Sequence, residues 1–152
     1  MSRKYKKLSD EERRRLAHSQ MLSSAQELLK HSSILADKLK FGLAVLTKES
    51  PIAIVVIKNE LISITFMYGP NEFHVALFLT HKNYPNICLG LSELYQNKKI
   101  KEWAINNRPV IINNENRIES EVNWYGNLLL EACTEIFTSP DSFFDRWANP
   151  AT

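Results

Sequence analysis

Cysteine and histidine are the residue types in this chain that most readily do chemistry at neutral pH, and both are scarce. The sequence has two cysteines, Cys88 and Cys133, and four histidines. No pair of them has the spacing of a zinc motif such as C-x-x-C or H-E-x-x-H. The four glycines are scattered, so no glycine-rich loop is present to hold a phosphate. We therefore expect no metal and no cofactor, and the chemistry of a single thiol stays open.

Cys88 is the candidate nucleophile. A cysteine that forms a thioester needs a water-accessible thiolate beside groups that stabilise an oxyanion. His81 and Asn83 shortly precede Cys88 and could be such groups. The alternative is that Cys88 is a small buried hydrophobic residue, as we expect for Cys133 on the apolar stripe of a helix.

The surroundings of Cys88 resemble the active-site segment of ubiquitin-conjugating enzymes. There a cysteine follows an apolar residue and precedes leucine, as in Ile87-Cys88-Leu89, and Tyr84-Pro85 and Trp103 resemble further features of that family. The resemblance implies a thiol enzyme or an inactive relative of one. The family's His-Pro-Asn motif is missing, and Cys88 follows Pro85 by three residues. Thiol chemistry is therefore an alternative hypothesis.

Two histidines frame a predicted strand, His74 at its start and His81 just past its end. Two-histidine phosphoesterases use His-x-Ser/Thr triplets, but the triplets here are His74-Val75-Ala76 and His81-Lys82-Asn83. The hydroxyl partner is absent from both. We interpret the two histidines as partly exposed residues at the ends of a strand, with His74 a candidate for partner binding.

The N-terminus forms a basic arm. Residues 1–15 have a net charge of +4, whereas the whole chain has +2. Such an arm can contact nucleic acid or an acidic partner, or can be a solvated helix start. Arg13 and His18 also resemble the Arg/His signature of HEPN-type ribonucleases, which are all-helical. The candidate basic contacts are Arg3, Lys4, Lys6, Lys7, Arg13, Arg14 and Arg15.

The elements that must position these residues centre on residues 51–80. A β-branched run from Ile52 to Ile57 predicts a strand that is buried on both faces. Residues 61–68 and 73–80 alternate in polarity, which predicts two half-covered strands. Gly69-Pro70 marks the turn between them. A buried helix over 51–68 is the rival interpretation.

Helices are predicted on both sides of this stretch. Residues 1–8 are expected to be disordered, and Ser9 with Glu12 forms a capping-box pattern that starts a helix from Asp10 to about Lys30. A second helix is predicted from Ile34 to about Thr47, unless the two are one long kinked helix. Downstream, residues 87–89 are either a short strand or a helical turn.

The C-terminal half is predicted to be mostly helical. Helix is expected over 92–106, followed by a short strand at 110–112. Residues 117–122 either pair as a strand or start a helix that continues to Phe137. Ser139-Pro140 begins a last helix. The candidate binding aromatics near these elements are Tyr84, Phe143, Phe144 and Trp147.

These patterns predict one α+β domain over residues 9–152, with an antiparallel sheet of three to five strands and helices on one face. No apolar run is long enough to span a bilayer, so no membrane partner is expected. Two cysteines without a disulfide pattern favour a reducing, cytoplasmic location. The leading hypothesis is a non-enzymatic binding or regulatory protein that contacts another protein or its own copy. Nucleic-acid binding through the basic arm is a further alternative.

Overall fold

The computed structural model describes residues 9–69, 74–109 and 116–148. Within these ranges the chain folds as a single α+β domain, in which helices cover one antiparallel sheet. This architecture confirms the predicted fold class. The predicted disorder of residues 1–8 and the predicted strand at residues 110–112 lie outside the described residues.

Five strands form the sheet in the order in which they occur along the chain. They are β1 (Val45–Lys48), β2 (Ala53–Lys58), β3 (Ile62–Tyr68), β4 (Ala76–His81) and β5 (Cys88–Leu89), each antiparallel to its neighbours. β-Branched and aromatic residues suit a pleated surface, and β2 to β4 are rich in them. The three strands predicted within 51–80 are confirmed, and the alternative of a buried helix is wrong.

Burial along β2 corrects one expectation. The unbroken apolar run predicts burial on both faces, but Ala53, Val55 and Ile57 are buried while Ile54 and Val56 are only half-buried. The reason is that the helices lie on the side to which Val55 points. We call that side the covered face, and we call the side to which Val56 points the open face.

A single helix, α1 (Asp10–Leu39), takes the place of the first predicted helix and part of the second. Its start is as predicted, because the Ser9 side chain accepts a hydrogen bond from the Glu12 amide at 3.1 Å. His31 and Ser32, expected as a break, are buried inside the helix instead. Of the two alternatives left open for this region, the single helix is the one found.

The second half of the predicted helix over 34–47 is wrong. Lys40 has a left-handed backbone (φ 59°), and its amide donates to carbonyls of the last turn, which ends α1. The chain then extends, and the Gly42 amide donates to the Lys58 carbonyl at 3.0 Å. Because Val45 and Thr47 are β-branched, they suit the edge strand β1 that follows.

The C-terminal half adds short helices. They are α2 (Leu91–Leu94), α3 (Lys98–Asn106), α4 (Arg117–Asn127), a π-helical turn (Leu128–Ala132), α5 (Glu135–Thr138) and α6 (Pro140–Ala148). The helix predicted over 92–106 is split because Asn97 caps a new helix, accepting from the Ile100 amide at 3.1 Å. Residues 117–122 are helix rather than strand. The helix predicted to reach Phe137 is interrupted at Cys133.

These helices pack on the covered face. Tyr125 of α4 contacts Phe66 of β3 with 5.9 Å between ring centres, and Phe144 of α6 contacts His81 of β4 at 5.2 Å. α1 packs against β2 and crosses α4, where Gly126 makes room for Leu35. In the described part of the chain, no helix combines the length and apolar character needed to cross a membrane.

Candidate functional site

Cys88 lies on β5, at one edge of the sheet. It pairs with Thr80 of β4, and directly paired residues of antiparallel strands point to the same face. The Cys88 side chain is therefore exposed on the open face. Its partial burial and the nearby Glu93 carboxylate raise the pKa of the thiol. A raised pKa favours the protonated thiol, which is the unreactive form.

His81 points away from Cys88, because it follows Thr80 on β4 and successive strand residues face opposite sides. Its side chain is completely buried. Nδ1 accepts a hydrogen bond from the Asn83 amide at 2.9 Å. Nε2 lies 2.7 Å from Asp141 Oδ1, although the geometry is not that of a hydrogen bond. The expected pairing of His81 with the thiol is therefore not present in this fold.

The four aromatic residues predicted to bind a partner connect α6 with the rest of the domain. Phe143 and Phe144 are fully buried. The Tyr84 hydroxyl donates to the Asp141 carbonyl at 3.2 Å, and Trp147 Nε1 donates to the Glu93 carbonyl at 3.3 Å. Burial and the nearby Asp145 and Asp141 carboxylates raise the pKa of Tyr84. Phe143 and Phe144 are therefore not surface residues, whereas binding through the half-buried Tyr84 and Trp147 stays a prediction.

The basic residues divide into a described and an undescribed group. Arg13, Arg14 and Arg15 lie on the exposed first turns of α1, and Arg15 pairs with Glu11 at 2.6 Å. Arg13 and His18 lie about 140° apart around the helix, so they do not share one face. The sheet also distinguishes this fold from the all-helical HEPN domains. Arg3, Lys4, Lys6 and Lys7 lie outside the described residues.

His74 contacts Glu121, the one carboxylate whose residue is buried among those that the structure describes. Its side chain is 72% exposed, whereas that of its partner Glu121 is only 5% exposed. His74 Nδ1 lies 2.6 Å from Glu121 Oε1, and Glu121 Oε2 accepts from the Val75 amide at 2.9 Å. Both carboxylate oxygens are thus engaged. Since Nδ1 is engaged by Glu121, Nε2 is the other ring nitrogen of this mostly exposed side chain.

A cleft of about 450 Å³ opens beside this pair. Its apolar and aromatic wall is formed by Leu91, Tyr95, Ala104, Ile105, Trp124 and Tyr125. The Tyr125 hydroxyl donates to the Val75 carbonyl at 2.5 Å. Burial, and then the Glu121 charge, raise the pKa of Tyr125. Arg108 also lines the cleft and is exposed.

Glu121 is not among the site residues predicted from the sequence, although its position on the apolar side of a predicted helix indicates burial. Val122, Tyr125 and Leu129 mark an apolar stripe of a helix, and Glu121 lies one turn before Tyr125 on that side. A carboxylate placed at i and a tyrosine at i+4 on an inward face predict a buried polar pair. Nothing in the spacing predicts that His74, which is 47 positions away, is the partner.

The open face is the second candidate surface. The strand register, which includes an irregularity in β1 between Leu46 and Lys48, pairs its residues in three rows across the sheet. They are Lys48–Ile54–Met67–Ala76, Val45–Val56–Thr65–Phe78 and Lys58–Ser63–Thr80–Cys88. Most of these side chains are half-buried, as expected where strands crowd together without a covering layer, and Val45 is 52% exposed.

The charged side chains on the strands of the open face have one sign, whereas the Glu93 carboxylate lies near Cys88 at the β5 edge. Its strand residues include Lys48 and Lys58 and no aspartate or glutamate. No carboxylate of the described residues forms an ion pair with either lysine. Leu43, which is 88% exposed, lies two residues before Val45 and extends the apolar edge.

Metal coordination finds no support in the residues that the structure describes, because no three histidine, cysteine, aspartate or glutamate side chains cluster there as ligands. Comparisons of the chain with known protein families, with curated proteins and with solved structures gave no match. The cleft beside His74 and the open face are therefore the two candidate sites.

Proposed function

We propose that the protein is a binding module that docks an amphipathic helix of another protein on the open face of its sheet. The observation that supports the proposal most is the composition of that face. It presents a continuous apolar band around Val56 and Phe78, and no helix of the described residues covers it. Uncovered apolar patches of this kind are typical of interaction sites.

The size of the face favours a helix as the occupant. Five strands at their usual spacing and three rows of side chains make a patch of roughly 20 Å by 20 Å. That is about 400 Å², half of what one partner buries in an interface of standard size. An α-helix is about 10–12 Å wide, and about 13 residues span 20 Å. One helix with an apolar stripe therefore fits the patch.

The charge of the face favours an acidic partner. Lys48 and Lys58 lie on the β1–β2 side of the patch, in its two outer rows. Between them lie only apolar and hydroxyl side chains. A helix with glutamate or aspartate along one border of its apolar stripe would pair with both lysines. Such rim pairs contribute modestly to affinity but do select partners by charge.

The same features argue against two other occupants. The basic N-terminal arm of this chain has the same sign as the two lysines, so it would be repelled. A second copy would bring its own lysines to the same patch, and the area is below what a stable dimer buries. We therefore infer a separate, acidic protein as the partner.

A selection from a displayed peptide library tests the proposal. The library encodes 14-residue helices with randomised surface positions, and the folded protein is the target. We expect enriched peptides to carry an apolar stripe bordered by acidic residues, with Kd values in the range of about 1–100 μM for such an area. Enrichment of basic or extended peptides would contradict the proposal.

Matched variants identify the surface that the peptide contacts. Lys48→Glu with Lys58→Glu should weaken an enriched acidic peptide by about tenfold or more. Lys30→Glu with Lys101→Glu changes the net charge equally, on exposed helix positions, and should leave binding unchanged. If both double variants lose the same affinity for the peptide, the effect of charge is non-specific and the proposed surface is not the binding site. If the free protein dimerises and Val45→Asp abolishes the dimer, a second copy is the occupant of the open face instead.

A further inference from the structure

The cleft beside His74 and Glu121 is separate from the open face, because Tyr125, which forms part of its wall, packs on the covered side of the sheet. Its volume of about 450 Å³ lies in the range of small-molecule sites. We propose that this cleft binds a small anion that has a planar apolar body, with an aromatic carboxylate as the chemical type. The proposed docking function neither uses nor requires this site.

The polar groups of the cleft explain the expected charge of the ligand. Glu121 is the only carboxylate among the described lining residues, and both its oxygens already accept hydrogen bonds. Arg108 has no ion pair with a described carboxylate. The cleft therefore offers Arg108 as its charged group for a ligand. A cationic ligand would find no unoccupied carboxylate there.

The position of His74 fixes the border of the cleft. Its Nδ1 lies 2.6 Å from the buried Glu121 carboxylate, so the ring is oriented although its side chain is 72% exposed. Because an ionised carboxylate only accepts hydrogen bonds, Nδ1 is the donor, and Nε2 of the neutral ring has no hydrogen to donate. The anion contact of the cleft is therefore the Arg108 guanidinium, which can pair with a carboxylate through two parallel hydrogen bonds.

The wall explains the planar apolar body. Trp124 lies between Trp103 and Tyr125, with ring-centre distances of 6.0 Å and 5.3 Å. Tyr95 and Ile105 complete an apolar surface. Trp124 Nε1 is also buried without a hydrogen-bond partner. Flat rings pack against such aromatic walls in offset-stacked or edge-to-face arrangements.

Titration with three probes of one shape tests the proposal. The probes are naphthalene-2-carboxylate, 2-naphthalenemethanol and 2-naphthylmethylamine, followed by the indole N–H signals of the ¹⁵N-labelled protein. We expect saturable binding of the carboxylate with a Kd of about 1 mM or below. The alcohol and the amine should bind about tenfold more weakly, because they lose the arginine pair. The Trp124 indole signal, assigned through Trp124→Phe, should shift.

Two exposed variants and one control complete the test. Arg108→Gln should remove the preference for the carboxylate, and Ile105→Glu should abolish its binding by placing a negative charge at the cleft. Arg14→Gln removes a remote exposed arginine and should change nothing. Equal affinity for all three probes would overturn the proposal. A second result would also overturn the proposal. If both cleft variants still bind the carboxylate but the double variant Lys48→Glu with Lys58→Glu does not, the anion binds on the open face.

Discussion

Replacement of Glu121 by alanine should destabilise the domain strongly, although its partner His74 is mostly solvent-exposed. The variant leaves the buried Val75 amide, which now donates to Glu121 Oε2 at 2.9 Å, without an acceptor. An unsatisfied buried amide costs about 1–3 kcal/mol. The loss of packing by a buried side chain adds roughly 1 kcal/mol. We therefore expect the free energy of unfolding to fall by about 2–4 kcal/mol.

The matched variant His74→Ala separates the buried contact from the exposed one. The imidazole is 72% exposed, so its pairing with Glu121 is screened by solvent and should contribute at most about 1 kcal/mol. Urea unfolding at pH 7, followed by tryptophan fluorescence, gives both values. Hydrogen exchange at the Val75 amide should accelerate in Glu121→Ala and change little in His74→Ala. Equal losses of stability in the two variants would refute this reasoning.

Three further predictions concern stability and reactivity. Burial raises the pKa of Tyr125 above its ordinary value of 10.0, so the stability that it contributes should be present below pH 10 and decrease as the pH rises above 10. Tyr125→Phe should lower the free energy of unfolding by about 1 kcal/mol at pH 7. In urea titrations above pH 10, the free energy of unfolding of this variant should decrease less with pH than that of the parent protein. An equal pH dependence in the two proteins would contradict the prediction. Burial also raises the pKa of Cys133 to about 12, so iodoacetamide at pH 7 should label Cys133 only after unfolding. Cys88 should be labelled slowly, because its pKa is also raised. Rapid labelling of Cys88 would support the thiol hypothesis instead. Gly126→Ala places Cβ 2.6 Å from Leu35 Cδ1, the movable end of a leucine side chain. Because alanine also gains about 1 kcal/mol of helix propensity, the net loss of stability should be only about 1 kcal/mol. Leu35→Val should recover part of that loss, and a Gly126→Ala variant more stable than the parent would contradict the prediction.

The strands could be predicted because their signals are local. Alternation from Ile62 to Tyr68 and β-branching from Ile52 to Ile57 both reflect how side chains fit a pleated sheet. The number of covered faces could not be predicted in the same way. Whether Val56 is buried depends on where helices pack, and the helices that decide this lie far away in the chain.

The errors in the helical regions have local causes that only the tertiary structure selects. Leucines at helical spacing continue past Leu39, yet the chain leaves the helix at Lys40 because an extended segment can pair with β2. The interruption at Cys133 has a similar origin: its amide donates to the Leu128 carbonyl in a π-helical turn. A helical periodicity does not distinguish these outcomes from a continuous helix.

In the candidate sites, too, residue types could be predicted locally, whereas their spatial arrangement could not. Cys88 and His81 are neighbours in sequence, but strand alternation places them on opposite faces. His74 and Glu121 are distant in sequence, and the fold brings them within 2.6 Å. Residue types could thus be predicted as candidates, whereas their pairing depends on strand register and helix packing.

Methyl-labelled NMR of the protein with an enriched acidic peptide tests the docking proposal most directly. The methyl signals of Ile54, Val56 and Met67 should shift on binding, while those of the buried Val55 and Ile64 should change little. Shifts confined to α1 or to the cleft beside His74, with the three open-face signals unchanged, would contradict it.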